Sequence, residues 1–527
     1  MALIWLVWHG RRTGGEIRLL RELALTGAAC VLIQGLRPAF PALTSGIPDL
    51  PLPGAALLET AKVIAAVWAG GGLLVMLLLG LYAALARLPL RDSLLIPAVT
   101  ALAAAPLAVS GMLAALLAYR ASLIDAAALA GFIPPPAGFV RLALAGLMTA
   151  LFPAMLAVRA GIRALAEEVS ATRELRKRWP LAASAAAASF SRQGGYLLGG
   201  ALLAEVIFNI PGVSRVLLEA VIGRGLPGGW LFGVLPAVLL MVRLRALAAA
   251  GVDEAVRGTY GLCGSLPQTP ISSPWWPGVW LVIALIALAI GLVNPLRGSL
   301  SLYVIRTPDP ATEQVEPPLT AGTVASGAAG GLVAAGLGGV WGLLARRAGH
   351  SAGGAARWRD AAWTALMVPA EALILAQPAL ITLLLAAGTA PLSPLAGGVL
   401  SGLVLVPRMV RAAASIDAGG PVRSGRLQGL LFIALLAAAG TLIALNYYAA
   451  FRLLAVEITG LHQGVFPAGY RDLYSGVVTA PGAGYYRLAL ELALPVGAAA
   501  VSLFALLEAV SHYARAEPQR LLEHLLS

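Results

Sequence analysis

Residues 198–212 read Leu198-Gly199-Gly200-Ala201-Leu202-Leu203-Ala204-Glu205-Val206-Ile207-Phe208-Asn209-Ile210-Pro211-Gly212. An apolar span runs into a single glutamate and then into a loop carrying Pro211 and Gly212. The landmark recurs later in the chain, where Glu457 is followed by Gly460 and Gly464. Around the two copies, the apolar stretches fall into two sets of six on either side of residue 270. The first set covers roughly 19–36, 58–86, 94–119, 139–162, 182–208 and 229–250. The second covers roughly 275–294, 321–345, 361–388, 392–410, 428–451 and 486–511. In each set the fifth span runs into the glutamate.

Composition agrees with helices in a bilayer. The chain has 527 residues, of which 59% are hydrophobic and 12% charged, against roughly 25% charged in a soluble domain. Apolar runs of about 20 residues are long enough to cross as helices, which keep every backbone bond inside the segment. The alternating pattern of a membrane β-barrel is absent. The expected fold class is an all-α polytopic membrane protein with twelve transmembrane helices.

The formal net charge is +12, nearly all from arginine, since Lys62 and Lys177 are the only lysines. The arginines collect in alternate inter-span segments, so they read as cytoplasmic-loop charges rather than a nucleic-acid face. Placing both termini inside puts about 25 basic residues on the cytoplasmic side and about 11 outside. The inside set includes Arg159 through Arg178 and Arg408 through Arg426. Residues 1–18 form an N-terminal extension: Arg11 and Arg12 follow the apolar residues 1–8, the reverse of a cleavable signal. The polar, turn-rich stretch 251–274 joins the halves. The domain division is 1–18, a first half 19–262, a linker 263–274 and a second half 275–527.

No catalytic or cofactor pattern occurs. Gly-x-x-x-x-Gly-Lys-[Ser/Thr] is missing, so ATP energy would have to come from a separate subunit. The two cysteines, Cys30 and Cys263, cannot build a disulfide framework. His9, His350, His462, His512 and His524 have no second ligand at metal spacing. Intramembrane charges are the remaining candidates. Glu205 and Glu457 are either gate contacts of the two halves or structural carboxylates binding amides of the following loop. Arg192, inside the fifth span, and Glu371 need a partner or water. Arg173, Arg176, Lys177, Arg178, Arg411, Arg423 and Arg426 face cytoplasmic partners or anionic lipid.

These landmarks resemble the permease subunits of ABC importers of the dipeptide, oligopeptide and nickel type. The stretch Leu198 to Arg215, with Leu218-Glu219-Ala220 and Arg224-Gly225-Leu226-Pro227, is similar to the signature of one subunit. Gly251-Val252-Asp253-Glu254-Ala255-Val256-Arg257 resembles its tail. Trp358-Arg359-Asp360, Val406-Pro407-Arg408-Met409-Val410-Arg411, Glu457-Ile458-Thr459-Gly460-Leu461 and the ending Leu506 to Pro518 resemble the partner subunit in order and spacing. The resemblance implies two six-helix type I importer permease repeats fused in one chain of a bacterial inner membrane. It implies a pathway for a small solute or peptide, served by separate ATP-binding subunits and an extracytoplasmic solute-binding protein. Two departures point to an alternative. The segments Arg163–Pro180 and Arg411–Arg426, where the family carries its ATPase-coupling helix, are short and poor in the family's residues. The chain would then be a transport-inactive, permease-derived membrane anchor among other subunits of a larger complex.

Overall fold

A computed structural model describes residues 54–85, 94–124, 137–167, 175–214, 276–292, 319–350, 394–415, 431–446 and 485–514, with a few residues near 250, 367 and 523. The described residues are helical, with no strand among them. Three helices are long and apolar enough to cross a membrane, or up to four if one bent pair counts as a single span.

Helix α1, Gly54–Ala84, shows the logic of the bundle. Ala56, Glu59, Thr60, Val63, Val67, Gly71, Val75, Leu79 and Tyr82 are buried, a stripe at helical spacing. The opposite face exposes Leu58, Leu73, Leu77 and Leu81. A helix apolar all round, with one face packed on protein and leucines on the other, suits a lipid surround.

The stretch expected as one span over 94–119 is two helices, α2 (Ile96–Ala103) and α3 (Leu107–Arg120), meeting at 84°. Pro106 is the cause. It has no N–H for the ladder and disfavours helical backbone at Ala105. The new helix starts on the Pro106 carbonyl, which accepts from Val109 and Ser110 N–H, both at 2.9 Å.

Helix α4, Phe139–Glu167, lies parallel to α1. The register is set by close approaches of Gly146 to Ala66, Gly71 to Ala150 and Gly161 to Leu79. Helices α5 (Leu175–Arg192) and α6 (Gly194–Ile207) return antiparallel, with Phe190 over Gly71 and Gly200 against Thr149. The inter-span segment expected over 163–180 is therefore largely helix: α4 runs on to Glu167 and α5 starts at Leu175, with Pro180 inside it.

Later in the chain come α7 (Trp276–Leu292), α8 (Leu319–Val333), a π turn (Ala334–Gly338) leading into α9 (Gly339–His350), and α10 (Pro394–Ser415). They are followed by α11 (Leu431–Asn446) and α12 (Tyr485–Ala514). The α8–α9 rod lies parallel to α10, with Gly398 on Ser326, Gly402 on Gly330, Gly338 on Val406 and Gly342 on Val410. Helix α11 runs antiparallel to that rod through Gly327–Leu445, Gly331–Thr441 and Gly339–Leu436. Where lipid tails compete with apolar side chains, tight small-residue contacts are what hold helices together.

Helix α12 ties the parts together. It packs on α7, with Trp280 and Ala284 against Ala505 and Ala509 and the Ser502 hydroxyl donating to the Ala284 carbonyl at 2.9 Å. Its Phe504 ring meets Phe152 of α4 edge-on at 6.5 Å.

Candidate functional sites

Three polar constellations sit on this frame. The first is built where α6 ends. Asn209 has φ 50°, a left-handed conformation that asparagine tolerates. Ile210 N–H donates to the Glu205 carbonyl at 2.8 Å and Asn209 N–H to the Val206 carbonyl at 3.2 Å. Together these form a Schellman cap followed at once by Pro211. The chain then folds back over the helix. Ser214 N–H donates to Glu205 Oε2 at 2.8 Å, and Val213 N–H to the Thr60 hydroxyl of α1 at 2.8 Å. Gly212 lies flat on the carboxylate, since a Cβ there would stand 2.6 Å from Glu205 Oε1. Arg141 of α4, 4% exposed, donates to the Asn209 carbonyl at 3.2 Å and lies within electrostatic reach of Glu59. Glu59 pairs with Lys62 at 2.7 Å and accepts from Ala137 N–H at 3.3 Å. Glu205 is fully buried, and among the described residues its Oε1 meets no donor in hydrogen-bond geometry.

The second lies midway along the bundle, where α5 passes into α6. Gln193, fully buried, has a near-helical backbone and donates through its amide to the Ser189 and Pro153 carbonyls. Arg192 beside it is exposed. One turn on, the Tyr196 hydroxyl donates to Asn446 Oδ1 of α11 at 3.4 Å. Asn446 is anchored by donating to the Leu442 carbonyl at 3.1 Å.

The third joins α4 to α12 near their C-terminal ends. Arg159 pairs with Glu508, both side chains mostly buried, and its guanidinium lies 5.8 Å from the centre of the Phe504 ring. At the same end Ser184 donates to Asp253 at 3.0 Å, and the buried Arg408 donates to the Leu525 carbonyl at 2.9 Å. Arg159 and Arg408 were expected as loop charges; both are packed inside the bundle instead.

Of the residues singled out by sequence, Glu205 caps the first constellation and Arg192 belongs to the second. Arg411 is half-buried in the last turns of α10, and Arg176, Lys177 and Arg178 fall in the first turns of α5. Glu371, Glu457, Arg173, Arg423 and Arg426 lie outside the described residues, so the Glu205–Glu457 equivalence has no counterpart geometry. Glu59, Arg141, Tyr196, Asn446 and Glu508 were not anticipated as site residues. Arg141 and Glu508 carried a usable signal, since each is a charge within an apolar span. No group of three or more metal-ligating side chains occurs among the described residues.

Comparison with known protein families, curated proteins and solved structures finds no match to this chain.

Proposed function

We propose that this protein is a permease-like membrane subunit: twelve spans in two equivalent halves, enclosing a route for a small solute or peptide along the seam between them. The observation that carries the reading is the recurrence of one helix triplet. In the first half α1 and α4 run parallel and α5–α6 crosses α1 antiparallel; in the second, α8–α9 and α10 run parallel and α11 crosses antiparallel. In both, glycines bring backbones together along the parallel pair. The triplets correspond to spans two, four and five of each half. The fifth spans meet through Tyr196 and Asn446, a contact in keeping with parallel repeats related by an axis along the membrane normal. The polar constellations also sort by end. Glu59, Arg141 and Glu205 gather at the end assigned outside by arginine placement. Arg159–Glu508, Ser184–Asp253 and Arg408 gather at the end assigned to the cytoplasm.

A second reading, a membrane anchor no longer coupled to ATP, draws on one observation. Only residues 168–174 separate Glu167 of α4 from Leu175 of α5. Even wholly helical, seven residues span about 10 Å, less than two turns, which leaves no room for a separate docking helix. A stable interface with an ATPase buries on the order of 1,200 Å² or more in total.

Purification from the native membrane in mild detergent, followed by reconstitution, separates the two. The permease reading expects a nucleotide-binding subunit to co-purify and ATP-dependent uptake of a labelled solute or peptide. Unrelated membrane subunits with no nucleotide-binding partner would overturn it in favour of the anchor.

A further inference from the structure

Arg192 stands midway along the helices of the bundle, the level of the bilayer centre for the proposed membrane subunit. Phe190, two residues before it, packs edge-on against Trp68, ring centres 5.5 Å apart, near the middle of α1. Gln193, the next residue, reaches the carbonyl of Pro153, which lies 14 residues from either end of Phe139–Glu167 (153 − 139 and 167 − 153). At about 1.5 Å per residue that is about 21 Å from each helix end, deeper than the roughly 15 Å half-thickness of a hydrocarbon core. Arg192 ends in a guanidinium, a planar fork of hydrogen-bond donors. Facing hydrocarbon it would be strongly disfavoured, so it faces protein or water.

The helix face decides which. Residues 192, 196 and 199 follow at helical spacing along one side of α5–α6. Tyr196 on that side reaches Asn446 of α11, so the side looks onto the seam between the two helix triplets. Arg192 and Gly199 are both exposed there, and a Cβ at Gly199 would meet nothing within 4 Å. Among the described residues no carboxylate pairs with Arg192. Among the described residues this side is open at Arg192 and Gly199, offers no carboxylate to the guanidinium, and has a phenol hydroxyl and a carboxamide one turn away.

The geometry points to a recognition site for a carboxylate-bearing small solute, with Arg192 as its charge partner and Tyr196 and Asn446 beside it. This rests on the seam being the route of the proposed permease. The guanidinium offers paired donors in the fork geometry that a carboxylate accepts. A carboxylate crossing the bilayer centre is otherwise expensive, and a fixed cation at that depth offsets its desolvation.

Cysteine labelling tests the site without requiring transport. Cys30 and Cys263 are replaced by serine and Gly199 by cysteine in the full chain, reconstituted in neutral-lipid vesicles. The rates of reaction with an anionic and a cationic methanethiosulfonate are then compared. Residue 199 lies about 10 Å along the helix from 192. A unit charge at that distance in water roughly doubles the local concentration of an anion and halves that of a cation. The anionic-to-cationic rate ratio should therefore fall about fourfold or more in Arg192→Gln and stay high in Arg192→Lys. Dialanine should protect the cysteine in the arginine background, whereas dialanine amide and sodium chloride at equal concentration should not. No labelling at 199 would mean a dry seam and overturn the site. A ratio indifferent to Arg192→Gln would do the same, and equal protection by chloride would overturn the carboxylate assignment. None of these outcomes depends on an ATPase being found, so the site and the permease reading can fail separately.

Discussion

Replacing Gly146 with alanine tests whether backbone contact between parallel helices holds this bundle together. A methyl there would stand 2.6 Å from the Ala66 carbonyl oxygen and 2.7 Å from its carbon. Ordinary contact begins at 3.4 Å, so α1 and α4 must part by about 0.8 Å (3.4 − 2.6), a gap that already forfeits a quarter to a half of the dispersion well for facing atoms. The neighbouring Gly71–Ala150 and Gly161–Leu79 contacts lie on the same seam and loosen with it. Backbone cannot rotate out of the way as a side-chain tip can. The expected cost is about 1–3 kcal/mol, the range for overpacking a filled interior. Gly72 provides the control: it sits in α1, one residue from the seam, and an added Cβ would meet nothing within 4 Å. Gly72→Ala should shift stability by no more than about 0.5 kcal/mol, or raise it through the better helix propensity of alanine. Reversible unfolding in mixed dodecylmaltoside–SDS micelles, followed by far-UV circular dichroism and tryptophan fluorescence, measures both. If Gly146→Ala is as neutral as Gly72→Ala, the close approach does not hold the helices and the packing argument for this half fails.

Three further expectations follow. In the second half, Gly402→Ala drives a methyl into the Gly330 carbonyl with the Gly330 Cα at 2.9 Å; it should cost about as much as Gly146→Ala, while Gly497→Ala, with open space, should be near neutral by the same unfolding assay. A double-mutant cycle over Arg159→Ala and Glu508→Ala should give a coupling energy of about 1–2 kcal/mol, because the mostly buried pair joins two helices 349 residues apart in sequence; strict additivity would show that the pair contributes nothing. Glu205→Ala leaves the Ser214 N–H without its acceptor and should destabilise by about 1–3 kcal/mol, whereas Glu205→Gln keeps an acceptor oxygen and should cost less; equal losses would show that the contact with Ser214 is immaterial.

That the chain holds helices long and apolar enough to cross a membrane was legible in one dimension. Apolar runs interrupted by arginine clusters state how much of each helix can meet lipid, and that depends on local composition alone. The cap after α6 was also partly legible, because the glutamate, asparagine, proline and glycine that build it lie within eight residues. Periodicity could not show which span would break, because the same apolar run over 94–119 suits one helix or two. Pro106 decides it through the N–H it lacks. Nor could it separate loop arginines from packed ones: Arg159 and Arg408 sit near span ends, where an exposed loop and a buried partner look alike in sequence.

Sequence alone carries a helical chain suited to a bilayer, and the local chemistry that ends α6 after Ile207. Which faces meet is settled only in three dimensions. The pairing of Gly146 with Ala66, of Arg159 with Glu508 and of Tyr196 with Asn446, and with it the seam where Arg192 lies, joins residues tens to hundreds of positions apart. Such contacts depend on helix directions and rotations that no local pattern carries. In an interior of alanine, leucine and glycine, many rotations bury equally apolar surface. The choice among them falls to the few positions where a missing side chain lets backbones touch or a charge must find its partner.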